Sequence, residues 1–330
     1  MEEQVSKLDA GSVQLSALKI PEKVFKMDIK KLREIISENG FVPIAGRPID
    51  ESFGFVDPIE NYESENFNNM TIGSYQVFAL RRDFYDYSQE RILIEYHQYV
   101  NQLGRKDDYI SKIEKNDIRE MIITKMRSES TPKTSIVHFF FDYTTSKAYV
   151  LGKGDRLLGK VLGILEKSFG ETFINHDPSY LIGQYESCTG RGFLTWLYRQ
   201  LINSSSFDIP GDTSFQMVVE SKICMKEDSG EEIAVTGDTA DEHHVTREIL
   251  NKKTNSIDQM NLRLTYGSLE WIFTLKEGYL FPEGVRLPFS GSQDDLIDDR
   301  LGYIGQLDIY MTALVLQYIE VTRGEDKDDA

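Results

Sequence analysis

The sequence predicts an α+β protein in which antiparallel sheets pack against helices, and three observations lead to this prediction. Apolar residues form 40% and charged residues 28% of the 330-residue chain, a balance that supports a sizeable core. Some segments carry apolar residues at helical spacing, whereas others have strand character and are joined by short turns. The length is sufficient for about two domains of roughly 100 to 200 residues each.

The N-terminal part is predicted to contain a strand, a helix and an irregular stretch. Residues 13–20 predict a short strand, and residues 28–39 carry apolar positions at helical spacing before Gly40 ends the helix. The following stretch, 41–58, is rich in Pro and Gly and punctuated by acids, which predicts extended or loop-like backbone.

A strand over 75–82 and a pair of helices are predicted next. Residues 87–127 contain no Pro and a single Gly, Gly104, so we expect two helices that meet near this glycine. The apolar positions that fit one helical face, and that we expect to be buried together, are Ile110, Ile113, Ile118, Met121, Ile122 and Met126.

The middle of the chain predicts a β-hairpin followed by an amphipathic helix. Residues 135–143, which include three consecutive phenylalanines, and residues 147–151 form the hairpin, with the first strand buried. Residues 157–169 place leucine and valine on one side and bases on the other, and Gly170 closes this helix.

The C-terminal part predicts an antiparallel set of strands between two helices. A loop-rich stretch over 175–192 precedes a short apolar helix over 193–202. The strands, with turns at 267–268 and 277–278, cover 215–220, 257–265, 269–275 and 285–287. A final helix over 301–321 carries a heptad stripe, which is more typical of a core-packing face than of a dimer seam, and both interpretations stay open. The stripe consists of Ile304, Leu307, Met311, Leu314 and Tyr318.

Charge is distributed unevenly along the chain. Three acidic segments, 50–65, 226–248 and 291–330, carry −19 of a net charge of −17, so the rest of the chain is slightly positive. Residues 105–133 hold eight bases and six acids, and residues 147–167 hold five bases and two acids. A uniformly basic nucleic-acid binder is excluded, but a local basic face that contacts phosphates is not. An ordinary mixed-charge helix surface is the alternative.

Several kinds of chemistry lack the residues they need. Two cysteines, Cys188 and Cys224, are too few for a disulfide framework or a four-ligand zinc site, and no H-E-x-x-H pattern is present. Gly152-Lys153-Gly154 lacks the spacing and ending of a P-loop, and no G-x-S-x-G elbow occurs. We therefore expect no metal and no cofactor. No segment approaches the roughly 20 apolar residues of a membrane span, and the acidic start is unlike a signal peptide, so a cytoplasmic protein without membrane contact is expected.

One nuclease-like arrangement is an alternative to a non-enzymatic protein. Asp212 precedes a predicted strand that ends in Glu220 and Lys222. Two carboxylates with this layout hold a divalent metal in some nucleases, and the lysine orients the attacking water. The competing interpretation is a strand that ends in solvated charges.

The order of segments resembles the recombination-associated protein RdgC family over about residues 13–321, and the collinear order of the segments carries the resemblance. These segments are Gly40-Phe41-Val42-Pro43, Gly54-Phe55-Val56-Asp57-Pro58, Ala79-Leu80-Arg81-Arg82, Glu114-Lys115, Phe139-Phe140-Phe141-Asp142, Tyr149-Val150-Leu151, the helix over 157–169, Gly192-Phe193-Leu194-Thr195-Trp196-Leu197, the strands of 269–289 and the final apolar helix. The chain departs from the family at 128–131, where familiar members carry a Pro-Arg-x-Phe type sequence at the tip of a projecting helical finger.

The resemblance implies a ring-shaped homodimer whose basic inner surface encircles duplex DNA. Members of this family bind DNA without marked sequence preference and restrain recombinase-driven strand exchange, and they are not known for catalysis. For this chain we accordingly expect a cytoplasmic, nucleoid-associated DNA-binding homodimer that modulates homologous recombination, with a recombinase as a candidate further partner. An acidic interaction module that contacts a basic partner or mimics nucleic acid, and that does not bind DNA, is a further alternative.

The resemblance and the predicted elements together divide the chain into five parts. These are a polar tail (1–12), a central α+β region (13–84 and 134–186), the helical finger (85–133), a second α+β region with the C-terminal helix (187–322) and an acidic tail (323–330). The residues that we expect to contact DNA phosphates are Lys112, Arg119, Arg127, Lys133, Lys153, Arg156 and Lys160.

Overall fold

The computed structural model divides into two compact units. It describes residues 13–59, 67–104, 110–152, 155–209, 213–227, 232–236, 255–288 and 296–328. The larger unit comprises Met1–Met27, Met70–Val77 and His138–Ala330, and the smaller unit comprises Asp28–Asn69 and Phe78–Val137.

Within the described residues the chain forms eight helices and thirteen strands. The helices are α1 (Glu22–Phe25), α2 (Ile29–Glu38), α3 (Gln89–Gln102), α4 (Lys112–Glu129), α5 (Asp155–Phe169), α6 (Pro178–Ile182), α7 (Gly190–Asn203) and α8 (Leu296–Asp328). The strands are β1 (Leu15–Lys19), β2 (Glu51–Val56), β3 (Thr71–Ile72), β4 (Tyr75–Phe84), β5 (Lys133–Asp142), β6 (Lys147–Leu151), β7 (Ile174–Asn175), β8 (Ser206–Ile209), β9 (Thr213–Glu227), β10 (Glu232–Thr236), β11 (Asn255–Tyr266), β12 (Leu269–Lys276) and β13 (Tyr279–Arg286).

The strands form two antiparallel sheets, which confirms the predicted α+β class. A seven-stranded sheet has the order β2-β4-β5-β6-β1-β7, with β3 paired to β4. A six-stranded sheet has the order β10-β9-β11-β12-β13, with β8 paired to β9. The β5–β6 hairpin pairs Phe139 with Val150 and Phe141 with Ala148, as the two apolar runs predict.

Capping side chains and close backbone approach shape the smaller unit. The Asp28 carboxylate caps α2 by accepting a hydrogen bond from the Lys31 amide at 2.8 Å. Gly40 bridges Phe55, and the amide of Phe41 donates to the Phe55 carbonyl at 2.8 Å. A Cβ atom on Gly54 would lie 2.6 Å from the Cα of Phe41, so this approach requires glycine at position 54.

The core of the larger unit is built from the six-stranded sheet, α7 and α8. Buried side chains alternate along β12, where Trp271, Phe273 and Leu275 face inward. The heptad stripe of α8 lies in the same core, with every member at most 5% exposed. Of the two interpretations of this stripe, core packing is therefore correct. Its members Ile304, Leu307, Met311, Leu314 and Tyr318 pack with residues of the sheet.

A buried ion pair joins the final helix to the β5–β6 hairpin within the larger unit. Lys147 Nζ lies 2.5 Å from Asp308 Oδ2, and the side chains are 10% and 1% exposed. The Tyr149 hydroxyl donates to the same carboxylate oxygen at 2.8 Å. The other oxygen, Oδ1 of Asp308, is buried and has no hydrogen-bond partner among the described residues.

The predicted helices and principal strands are confirmed, with three corrections. The stretch 41–58 contains the extended strand β2, in agreement with the prediction, whereas the loop-rich stretch 175–192 includes helix α6. The final helix runs over 296–328 and takes in most of the predicted acidic tail, because Glu and Lys are good helix formers and a single Gly324 is tolerated. Ile113 and Met121 are 76% and 43% exposed instead of buried. The buried stripe of α4 follows Ile118, Ile122 and Met126 at four-residue spacing.

The two units group the chain differently from the predicted parts, since the α3–α4 helices join residues 28–69 in the smaller unit. No helix in the described part of the chain is long and apolar enough to cross a membrane.

Candidate nucleic-acid interface

The expected DNA contacts are divided between the two units. Lys112, Arg119 and Arg127 lie on α4, and Lys133 opens β5, all in the smaller unit. Arg156 and Lys160 lie on α5 in the larger unit. Lys153 lies outside the described residues.

Helices α3 and α4 form a pair with its own small core. Ser88 and Ser111 cap the two helices with their hydroxyl oxygens, which accept from the backbone amides of Arg91 and Glu114. Gly104, with a φ of +65°, follows α3. The buried residues of this core are Ile92, Val100, Ile110, Ile118, Ile122 and Met126.

A groove of about 480 Å³ lies between α3 and α4. Each helix contributes four residues at the i, i+3, i+4, i+7 spacing of one helical face. Residues Gln89, Ile92, Leu93 and Tyr96 come from α3, and Lys112, Lys115, Asn116 and Arg119 come from α4. The α3 side is largely apolar, and the α4 side carries three bases. We call this feature the α3–α4 groove.

The bases of the α3–α4 groove are concentrated on one side of α4. At about 100° of rotation per residue, Lys112, Lys115 and Arg119 fall within an arc of about 60°. The acids of this part of the helix lie more than about 100° from the centre of that arc. They are Glu114, Asp117 and Glu120. The basic face is therefore locally positive although the helix as a whole has mixed charge.

Lys115 is not among the seven expected contacts, yet it lines the α3–α4 groove between two residues that are. The spacing 112, 115, 119 is the signal that identifies it, because these positions share one helical face. Lys112 and Arg119 are exposed and make no ion pair within the described part of the chain. Arg119 donates a hydrogen bond to the Gln89 side-chain carbonyl.

Two of the expected contacts are paired with carboxylates of the same unit. The Arg127 guanidinium, with its side chain 15% exposed, donates from Nε and Nη2 to Asp50 Oδ1 at 3.1 and 2.6 Å. This hydrogen bonding raises the pKa of Arg127. Lys133 Nζ donates to Asp86 Oδ2 at 2.6 Å, which lowers the pKa of the Asp86 carboxyl. Lys133 stays 63% exposed and can exchange this contact for a phosphate more readily than Arg127.

Helix α5 carries a second basic stripe, in the larger unit. Arg156, Lys160 and Lys167 fall within an arc of about 40° on this helix. The opposite side, with Val161, Leu165 and Phe169, is buried. Lys167 is exposed and is the residue that the expected set omits. The amphipathic pattern of α5 thus leaves its bases on the solvent side, as the sequence predicts.

Only two residues of the nuclease alternative, Glu220 and Lys222, lie within the described structure. Asp212 lies outside the described residues. Glu220 and Lys222 lie on β9 where its register with β11 is irregular, and the Glu220 carboxylate accepts a hydrogen bond from Arg263. Within the described residues, no group of three or more His, Cys, Asp and Glu side chains is arranged to hold a metal ion.

A second cavity, of about 410 Å³ in the larger unit, is acidic. Asp142, Asp298 and Asp299 line it together with the Tyr75 and Tyr303 side chains. Burial, and then the charge of Asp142, raises the pKa of Tyr75. The charge of this cavity disfavours a phosphate ligand.

No protein-family model matches the chain, and a comparison with curated proteins finds no match. The likeness to the RdgC family therefore rests on the order of segments in the sequence.

Proposed function

We propose that the protein binds duplex DNA without sequence preference and without catalysis, as a ring-shaped homodimer of the RdgC type that restrains recombinase-driven homologous recombination. The observation that carries the proposal is the cluster of Lys112, Lys115 and Arg119 within two turns of α4. The order of segments in the sequence supports the assignment to this functional class, including its nucleoid association.

Three bases on one helical face match the chemistry of the DNA backbone. Phosphate contacts release condensed counterions, and this term supplies most of the affinity in sequence-indifferent binding. Lysine and arginine contribute through charge and do not require base edges. The remaining surface of a chain with a net charge of −17 repels DNA, which confines it to the basic helices.

The test is a salt series of duplex binding, measured by fluorescence anisotropy. The slope of log K against log salt is about −0.9 for each neutralised phosphate. Reversing Lys112, Lys115 and Arg119 to Glu should therefore flatten the slope by about 2.7 for each chain that contacts DNA. Unrelated duplexes of equal length should bind the wild type equally well, because no base is read.

A matched control is available on the same helix. Lys125, 58% exposed, pairs with Glu95 and does not line the α3–α4 groove. Lys112→Glu and Lys125→Glu change the net charge equally, so only Lys112→Glu should weaken binding substantially. Equal losses would mean that net charge, not the basic face, governs affinity.

Two further measurements separate the alternatives. Light scattering should give twice 37.9 kDa for the protein alone. DNA recovered after incubation with magnesium should be intact, whereas cleavage that is lost in Glu220→Ala would favour the nuclease. No binding even at low salt would reject the proposal in favour of an acidic interaction module.

A further inference from the structure

The α3–α4 groove has an apolar side that phosphate binding does not use. Leu93 lines the groove and is 56% exposed, Tyr96 is partly buried, and Ile92 is 4% exposed at its base. An exposed leucine beside an aromatic ring gives this side of the groove apolar area that an apolar side chain of a partner would remove from water.

The shape of the groove favours an elongated occupant. Both walls are helical faces of eight residues, from Gln89 to Tyr96 and from Lys112 to Arg119, with a rise of about 10 Å along the helix axis. Two turns of a third helix have this length, and docking of an amphipathic helix between two helices is a recurring recognition mode. The apolar side of such a helix would cover Leu93 and Tyr96.

The charge of the groove selects the chemistry of that helix. Lys112, Lys115 and Arg119 form one rim, and no acid is among the residues described along the groove. A helix with leucines in one stripe and Glu or Asp beside it complements both sides, whereas a basic helix would meet like charges along the rim.

We infer that the α3–α4 groove is a docking site for an acidic amphipathic helix of a partner protein. Leu93 and Tyr96 contact its apolar stripe, and the three bases of α4 pair with its carboxylates. This inference is independent of DNA binding. If both proposals hold, the acidic helix and DNA compete for the same bases, and the partner would regulate release from DNA.

The probe is a fluorescein-labelled peptide of 14 residues with leucines at i, i+3, i+4 and i+7 positions and glutamates on the flanking positions. Two control peptides have the same net charge: one contains the same residues in scrambled order, and one replaces every leucine by glutamine. The assay is fluorescence anisotropy without DNA, so failure of this inference and failure of DNA binding are distinguishable.

The expected result is binding of the amphipathic peptide only. Leu93→Gln should weaken it about five- to tenfold, because burial of the exposed part of the leucine is lost. Arg119→Glu should weaken it at least tenfold, and Lys125→Glu less than twofold. Glutamine suits an exposed helix position, so Leu93→Gln should melt at the wild-type temperature by circular dichroism.

Several outcomes would overturn the inference. If the leucine-free peptide binds equally well, binding depends on charge alone and not on the apolar side of the groove. If the scrambled peptide binds equally well, the groove does not recognise an amphipathic helix. No binding of the amphipathic peptide would reject the site. A dimer that dissociates in Leu93→Gln would assign the groove to a second copy of this chain instead.

Discussion

The buried pair of Lys147 and Asp308 allows a quantitative test of how α8 is held to the β5–β6 hairpin. The two residues are 161 positions apart, and their side chains are 10% and 1% exposed. Replacing Lys147 with Met keeps the length of the side chain but removes the charge. Replacing Asp308 with Asn keeps its shape and an oxygen that can accept from the Tyr149 hydroxyl.

Each single change leaves one buried charge without its partner. Breaking a buried ion pair in this way costs about 3–5 kcal/mol, because the remaining ion is desolvated without compensation. Removing both charges eliminates that penalty, and apolar or neutral replacements of a buried pair are often close to neutral. We therefore expect a coupling free energy of at least about 2 kcal/mol between the two sites. The double variant should lose less stability than the two single variants lose in sum.

The assay is urea unfolding at pH 7, followed by circular dichroism and tryptophan fluorescence, for the wild type, Lys147→Met, Asp308→Asn and the double variant. The free energies of unfolding of the four proteins form a double-mutant cycle. Single changes that cost less than about 1 kcal/mol, or effects that add within about 0.5 kcal/mol, would refute the argument that the two charges depend on each other.

Three further predictions concern backbone space and pH. Gly54→Ala should lower the free energy of unfolding by about 1–3 kcal/mol, because the new Cβ atom would lie 2.6 Å from the Cα atom of Phe41. Gly163→Ala lies on α5 with open space around the new Cβ atom, so it should raise the free energy of unfolding by about 0.5–1 kcal/mol. Urea unfolding midpoints of the two glycine variants test both predictions. Burial raises the pKa of Tyr310 to about 12. Since an unfolded tyrosine ionises near pH ~10, the free energy of unfolding should fall as the pH rises from about 10 to 12. This fall should be less steep in Tyr310→Phe than in the wild type. Burial, and then the charge of Lys147, lowers the pKa of His176, so stability should fall as pH drops below about 6.5. In Lys147→Met the pKa of His176, measured by NMR, should rise, and an unchanged value would contradict the role of the lysine.

Local pattern was sufficient for most of the secondary structure. The apolar spacing of α5 and the turn at Gly170 identify that helix within two residues of its start. The run of phenylalanines in β5 predicts a strand that is buried on both faces, and all three are fully buried. The two-residue strand β7 was not predicted, because two residues carry too little periodicity to be recognised.

The candidate site was predictable only in part. The basic positions of α4 are visible in the sequence, and their shared face follows from helical spacing alone. That Leu93 and Tyr96 of α3 lie across from them depends on how the two helices pack. Arg127 forms an ion pair with Asp50, which lies 77 positions away in the chain, and no local pattern specifies this contact.

Residue patterns were sufficient to predict the α+β class, the principal helices and strands, and the concentration of bases on α4 and α5 in an acidic chain. These follow from residue spacing along a few turns or a single strand, where the geometry of the backbone fixes which side chains share a face. Tertiary structure decided that the stripe of α8 lies in the core, that Lys147 pairs with Asp308, and that an apolar wall faces the bases of α4. These contacts join residues far apart in the chain, and they form because burial rewards the few arrangements in which apolar faces and opposite charges meet.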